Sequence, residues 1–301
     1  MAPTSRVVIG LVLGLTVHAI ALPVSAQRPH PLTSPASSPS PTPEPAYLKD
    51  RGTGVATSLF GTYVRRHELL IYPFFEYDHH NKFEYKPSEL GSVGEQDFRG
   101  RYRASEKLIF LAYGLTENLA VELEMASIKA SLEKSPLDKS TVPAKIQESG
   151  LGDVQAELRW RWKQETEHRP EFFSYAEVAF PHHRNKHLIG TPGWEVVVGT
   201  GVTRGFKWGT LTGRASIEYA GSSSSKFDVG EFAVEYLKRV SPKWRLYLGV
   251  EGTPDELSLV TEAQWHVSQH VYFKFNNGVG LTSKAVGWAP EVGIVFSLPP
   301  R

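Results

Sequence analysis

Residues 150–163 read GLGDVQAELRWRWK and alternate throughout: Val154, Ala156, Leu158, Trp160 and Trp162 take one set of positions, while Asp153, Gln155, Glu157, Arg159 and Arg161 take the other. A helix cannot separate these two sets, because side chains with a period of two belong to a β-strand. Ten alternating residues are long for a soluble strand and suit a tilted span through a bilayer. One face fits lipid and the other fits water.

The same alternation recurs down the chain, at Leu211, Gly213, Ala215, Ile217 and Tyr219, at Trp244, Leu246, Leu248 and Val250, at Leu257, Leu259, Thr261, Ala263, Trp265 and Val267, and at Pro290, Val292, Ile294, Phe296 and Leu298. Twelve strands follow, over residues 67–78, 101–114, 118–130, 151–163, 172–181, 194–204, 210–220, 228–239, 244–252, 256–267, 271–281 and 288–298. The first odd connections are long (79–100, 131–150, 182–193) and the even ones are mostly tight turns, the loop asymmetry of bacterial outer-membrane barrels. Tyr113, Trp160, Trp162, Phe172, Trp194, Phe206, Trp208, Trp244, Trp265, Tyr272 and Phe296 are expected to form the interfacial girdles. A soluble sandwich alternates too, but the span lengths, loop asymmetry and aromatic positions together favour an all-β, antiparallel, up-and-down transmembrane barrel of about 12 strands. Hydrocarbon leaves no partner for an open sheet edge, so such a sheet must close on itself. Pro73 and Pro290 then fall on the strands that meet, where each either removes a ladder donor and weakens the seam or sits at a bulge or strand end.

Residues 1–26 read as a signal peptide: Arg6, an apolar run over 7–24, then Val24-Ser25-Ala26 before Gln27. Residues 27–49 form a Pro/Ser-rich linker expected to be disordered, with seven of the chain's 21 prolines between positions 28 and 46. Residues 50–66 are a periplasmic or lumenal lead-in, and 67–301 the barrel. The chain has 33 Lys and Arg against 32 Asp and Glu, and Arg6 is the only one of these before Gln27. The mature chain is therefore neutral, which argues against nucleic acid as a partner. Without cysteine, stability must come from a core or a membrane. No later segment reaches the length of a transmembrane helix.

The residues GLGDVQAELRWRW, YGLTENLAVEL (113–123), HELLIYPFFEY and the closing APEVGIVFSL resemble the outer-membrane β-barrel proteins grouped under a meta-pathway of phenol degradation. The resemblance runs from about residue 54 to 298. It implies location in the outer membrane of a Gram-negative bacterium and passage of small, often aromatic, compounds, and it supplies no catalytic residues.

By parity the inner face carries Glu68, Glu76, Glu122, Glu124, Asp153, Glu157, Glu177, Glu195, Glu218, Glu231, Glu235, Glu251, Glu262 and Glu291 against Arg103, Lys107, Arg159, Arg161, Arg214, Arg245 and Lys274. An acidic excess in an aqueous lumen raises local cation concentration. The candidate pore-lining set is Glu122, Glu124, Glu157, Arg159, Arg161, Glu177, Arg214, Glu218, Glu235, Glu251 and Glu262, and the expected function is a passive channel for small solutes, aromatic or cationic ones being the candidates. Cross-strand ion pairs, with Glu122 opposite Arg159, offer the competing reading of a closed barrel acting as envelope scaffold or receptor. A membrane-embedded hydrolase is the second alternative, resting on Ser268 between His266 and His270 or on Ser174 near Glu177, although neither forms a nucleophile, base and orienter set. His79, His80, His182, His183 and His187, with Asp78, are weak metal candidates whose spacing fits no closed zinc signature, so no metal or cofactor is expected. The partners expected are outer-membrane lipid, the barrel-assembly machinery and small-molecule solutes.

Overall fold

The computed structural model describes residues 45–183, 185–221, 227–253, 256–282 and 284–299, so the segment expected to be a signal peptide and most of the proline-rich linker lie outside the described residues. Twelve strands close into one antiparallel barrel: β3 (Leu69–Tyr85), β4 (Phe98–Gly114), β5 (Leu119–Glu133), β6 (Lys145–Lys163), β7 (Glu171–Phe180), β8 (Glu195–Phe206), β9 (Gly209–Ala220), β10 (Phe227–Arg239), β11 (Trp244–Gly252), β12 (Leu257–His266), β13 (Val271–Gly280) and β14 (Ala289–Leu298). Two short strands, β1 (Val55–Ala56) and β2 (Tyr63–Val64), precede them and pair with each other as a small hairpin. Each strand pairs with its sequence neighbour, and β14 pairs with β3 to complete the ring. That seam lacks paired residues between Gly293–Phe74 and Phe296–Ile71. Pro73, which has no N–H to give, sits in the gap.

Period two decides which side chains face outward. On β6 Leu158, Trp160 and Trp162 are exposed while Glu157, Arg159 and Arg161 are buried. Exposed Val198, Ile217, Val234, Leu246, Leu248, Phe275 and Val292 continue the apolar outer surface around the ring. A belt of this extent is the surface of a barrel immersed in hydrocarbon. Aromatic pairs border it at both ends. Trp162–Phe172 (5.2 Å), Phe206–Trp208 (4.8 Å) and Trp265–Phe273 (5.6 Å) lie toward the short turns, with Phe180–Trp194 (4.0 Å) and Tyr219–Phe227 (5.1 Å) toward the long loops.

Four strands outrun their expected ends. β3 and β4 are 17 residues each, β5 is 15 and β6 is 19, so the two longest loops shrink to 86–97 and 134–144. The extensions pay their entropy by packing: Phe83, Tyr85, Tyr102 and Leu132 form a core with Leu188 and Ile189, which the β7–β8 loop folds inward. That loop is tied by Asp153, which accepts from the Thr191 hydroxyl at 2.8 Å, and by Glu148, which accepts from the Leu188 N–H at 2.8 Å.

Parity needs correction on β4. Its buried residues are Tyr102, Ala104, Glu106, Leu108, Phe110 and Ala112, so Arg103 and Lys107 face outward and Glu106 joins the lumen. Both faces of this strand are apolar near its end, which leaves alternation without a sign to read. Tyr272 is likewise corrected from girdle to lumen, being buried and stacked on His266 at 4.6 Å.

Candidate functional site

The lumen is occupied at its short-turn end by a strap, residues 45–66. A 3-10 turn (Ala46–Leu48) contacts β8, and the β1–β2 hairpin then enters the barrel and returns. Gly61 makes the turn at its tip with φ +57°, and a Cβ there would lie 2.8 Å from Leu237 Cδ1. Glycine meets both conditions without strain. Phe60 beside it packs with Leu237, Tyr247 and Val260, its ring 4.9 Å from that of Tyr247. Val55 and Val64 pack in one core with Leu70, Tyr72, Phe110 and Val295 of the wall.

Polar ties fix the rest. Arg51 Nη2 lies 2.8 Å from Glu165 and its Nη1 3.1 Å from Glu171, all three side chains about 1% exposed. Glu122 accepts from the Ser58 N–H at 2.9 Å and from the Ser58 hydroxyl at 2.6 Å. Lys274 Nζ donates to the Phe60 carbonyl at 3.2 Å and pairs with Glu262 at 3.0 Å, while Gln264 donates to the Phe60 carbonyl at 3.3 Å. Arg159 reaches the Ala56 carbonyl at 3.5 Å, and Arg161 donates to the Gly54 carbonyl. Strap backbone groups that water would otherwise satisfy thus find lumen partners. A cavity of about 10 Å³ between strap and wall, lined by Ala56, Gly61, Arg159, Arg214 and Glu235, has room for about one water.

The candidate pore residues divide into two groups. Arg214 holds Glu235 at 2.8 Å, Glu251 at 2.9 Å and Glu231 at 3.1 Å, and Arg159 pairs with Glu157 and, at 3.5 Å, with Glu122. The expected placement of Glu122 opposite Arg159 is corrected: its direct partner on β6 is Glu157, and Arg159 lies opposite Ala120. The ion pair is therefore diagonal. Glu122, Glu157 and Glu177 stand in one cross-strand row, and Glu291, Glu76 and Glu106 in another. Toward the long loops Glu124, Glu177, Glu195 and Glu218 are partly exposed, beyond the reach of the strap contacts.

Sequence reasoning missed Arg51, Ser58, Phe60, Glu165 and Glu171. One signal was available: LLIYPFF in β3 and LIFLAY in β4 are apolar on both faces, and strands buried on both faces read as continuous apolar runs. An inner face that is apolar is an inner face that something covers.

The strap joins β3 through Glu68, which accepts from Arg65 Nη2 at 2.9 Å, from the Arg65 N–H at 2.7 Å and from the Ser297 hydroxyl of the last strand. Burial pushes this carboxyl up, but the Arg65 and Ser297 donors outweigh it and bring it below the ordinary 4.5. A lowered folded value means stability that is complete above 4.5 and is lost as pH falls through the folded value. The melting-temperature gap between wild type and Glu68→Gln is therefore expected to be flat at neutral pH and to close below pH 4.5. A gap that does not change with pH would show that Glu68 acts through shape alone.

The other candidates are not assembled. His80 is buried between Phe83 (5.6 Å) and Tyr102 (5.9 Å), while His182 and His183 face each other at 4.4 Å. The His187 N–H donates to Glu148. Among the described residues no three His, Cys, Asp or Glu groups converge on a metal position. Ser268 Oγ accepts from the His270 N–H at 3.2 Å, and Ser174 projects outward while Glu177 projects inward.

No family model matches the chain, and no curated protein does. Among solved structures it is similar to an outer membrane channel from Pseudomonas putida F1 (13% identity, TM-score 0.58, 81% of this chain and 100% of that one). It is also similar to the transport unit of the autotransporter AIDA-I from Escherichia coli (9%, 0.46, 84% and 96%) and to the translocator domain of NalP from Neisseria meningitidis (12%, 0.42, 76% and 88%). The first likeness is one of fold, an outer-membrane β-barrel.

Proposed function

We propose that this protein is a passive channel for small solutes in the outer membrane of a Gram-negative bacterium, with its long loops outside, its short turns in the periplasm and its strap as a removable obstruction. The observation that carries this reading is the pair of carboxylate rows, Glu122–Glu157–Glu177 and Glu291–Glu76–Glu106, inside a barrel whose outer surface is apolar. Like charges directly opposite one another destabilise a sheet. Arg159 pairs with Glu122 and Glu157, but Glu177 of that row and Glu106 of the other have no ion pair among the described residues, whereas a barrel selected only for rigidity would serve them as Arg214 serves its three; a lumen that admits cations uses such an excess. The solved channel that this chain resembles in fold adds support, and the stretches at 113–123 and 150–162 support membership in the meta-pathway group.

The test is current through planar bilayers in a salt gradient. The folded mature protein is expected to favour cations, and Glu177→Gln with Glu195→Gln is expected to move the reversal potential toward the unselective value. Unchanged selectivity would remove both residues from the path. The filled lumen favours a second reading, an envelope scaffold or receptor. A folded barrel that conducts at no potential, with or without its strap, would establish that reading.

A further inference from the structure

The periplasmic mouth has the opposite charge. Beside the strap lies a cavity of about 580 Å³, lined among others by Arg239, Lys243, Arg245, His266, Tyr272 and Arg51. That volume lies in the range of small-molecule sites. Arg239 closes β10 and Arg245 is the second residue of β11, and the two are directly opposite in the ladder with both facing inward. Two cations at that separation repel across the sheet.

Among the described residues no carboxylate forms an ion pair with the Arg239 guanidinium. Its buried Nε meets no acceptor among the described residues, and neither does the buried Nε2 of His266. The buried acids of this end are engaged with other groups. Asp50 takes Lys238 and the backbone N–H of Arg239, Glu68 takes Arg65 and Ser297, and Glu165 and Glu171 take Arg51. A buried donor left without a partner is costly, the more so when charged, so an arrangement that keeps one beside a second guanidinium is built for a group that arrives from outside.

We infer that this vestibule binds a small oxyanion, a free carboxylate or phosphate compound, held by the paired forks of Arg239 and Arg245 with His266 as a further donor. Guanidinium forks match the oxygens of both groups in bidentate fashion. The lining side chains face the lumen, away from the bilayer, so the ligand is a soluble compound and not a lipid headgroup. Binding requires only the folded barrel and does not depend on conduction, so failure of the channel reading leaves it standing.

The experiment titrates succinate and inorganic phosphate, separately, into the refolded mature protein in uncharged detergent at fixed ionic strength, read by calorimetry. The expected result is one saturable site, weakened roughly tenfold or more by Arg239→Gln or Arg245→Gln, as loss of one charge-assisted fork implies, and unchanged by Lys163→Gln. A second signature has opposite signs. Without anion, Arg239→Gln should melt above wild type because repulsion is relieved, while the anion should raise the melting temperature of wild type alone. Should a glutamine variant not fold, Arg239→Lys keeps the charge, loses the fork and should bind more weakly than wild type. No saturable binding by the folded wild type, or equal affinity in wild type and the Arg239 and Arg245 variants, would overturn the proposal. So would binding of phosphatidylglycerol micelles without binding of either free anion.

Discussion

Truncation to residues 67–301 is expected to turn a barrel that conducts little into one that conducts steadily, and Phe60→Ala is expected to do so intermittently. The strap is held at its tip by one ring among Leu237, Tyr247 and Val260, and at its base by Arg51 between Glu165 and Glu171. Removing a buried phenylalanine ring costs about 3–5 kcal/mol. If that cost falls on docking of the strap, its docked-to-released ratio drops by a factor of roughly 10² to 10⁴. The wall should survive, because β3–β14 close without any strand from the strap. Open probability in planar bilayers reads the effect directly, and heat-modifiable migration on a gel verifies that the barrel is intact. Phe60→Ala as silent as wild type, together with a folded but silent truncation, would place the obstruction elsewhere, for which the inward β7–β8 loop is the next candidate.

The largest loss of stability is expected from Arg214→Met. One guanidinium holds Glu231, Glu235 and Glu251, and its side chain is 10% exposed. Methionine fills much of the volume and supplies no charge, which leaves three carboxylates close together in a confined interior. Breaking a buried pair by removing one partner costs about 3–5 kcal/mol, because the remaining charge stays desolvated. Urea unfolding followed by gel shift should show the midpoint falling accordingly. Changing Glu235 and Glu251 to glutamine in the Arg214→Met background should recover much of the loss, since the penalty belongs to the stranded charges. Recovery absent from that triple variant would assign the effect to packing by the arginine stem.

Alternation made most of the wall legible. On β6 polar and apolar residues separate cleanly, and on β9 to β14 the outward residues are mostly apolar, because a lipid-facing side chain and a lumen-facing one meet opposite solvents, although Leu237, Tyr247 and Val260 point inward to the strap. It fell short on β3 and β4, where Leu108, Phe110 and Tyr72 face a lumen that is not aqueous at that level. The misassignment of Arg103 and Lys107 and the missed strap share this single cause. Register followed the same limit: a period of two says that Glu122 and Arg159 share a face, whereas the ladder decides that Glu157 is the residue opposite and that Arg159 reaches Glu122 diagonally.

The sequence by itself determined the barrel, its strand number, its two faces and the acidic character of its lumen, since each follows from local periodicity and from the requirement that backbone groups in lipid be paired. Only the tertiary structure decided that residues 45–66 turn into the lumen and which residues of the wall hold them there. Those outcomes depend on contacts between residues more than 100 positions apart, such as Arg51 with Glu165 and Phe60 with Lys274, and no local pattern encodes which distant partner a side chain will find.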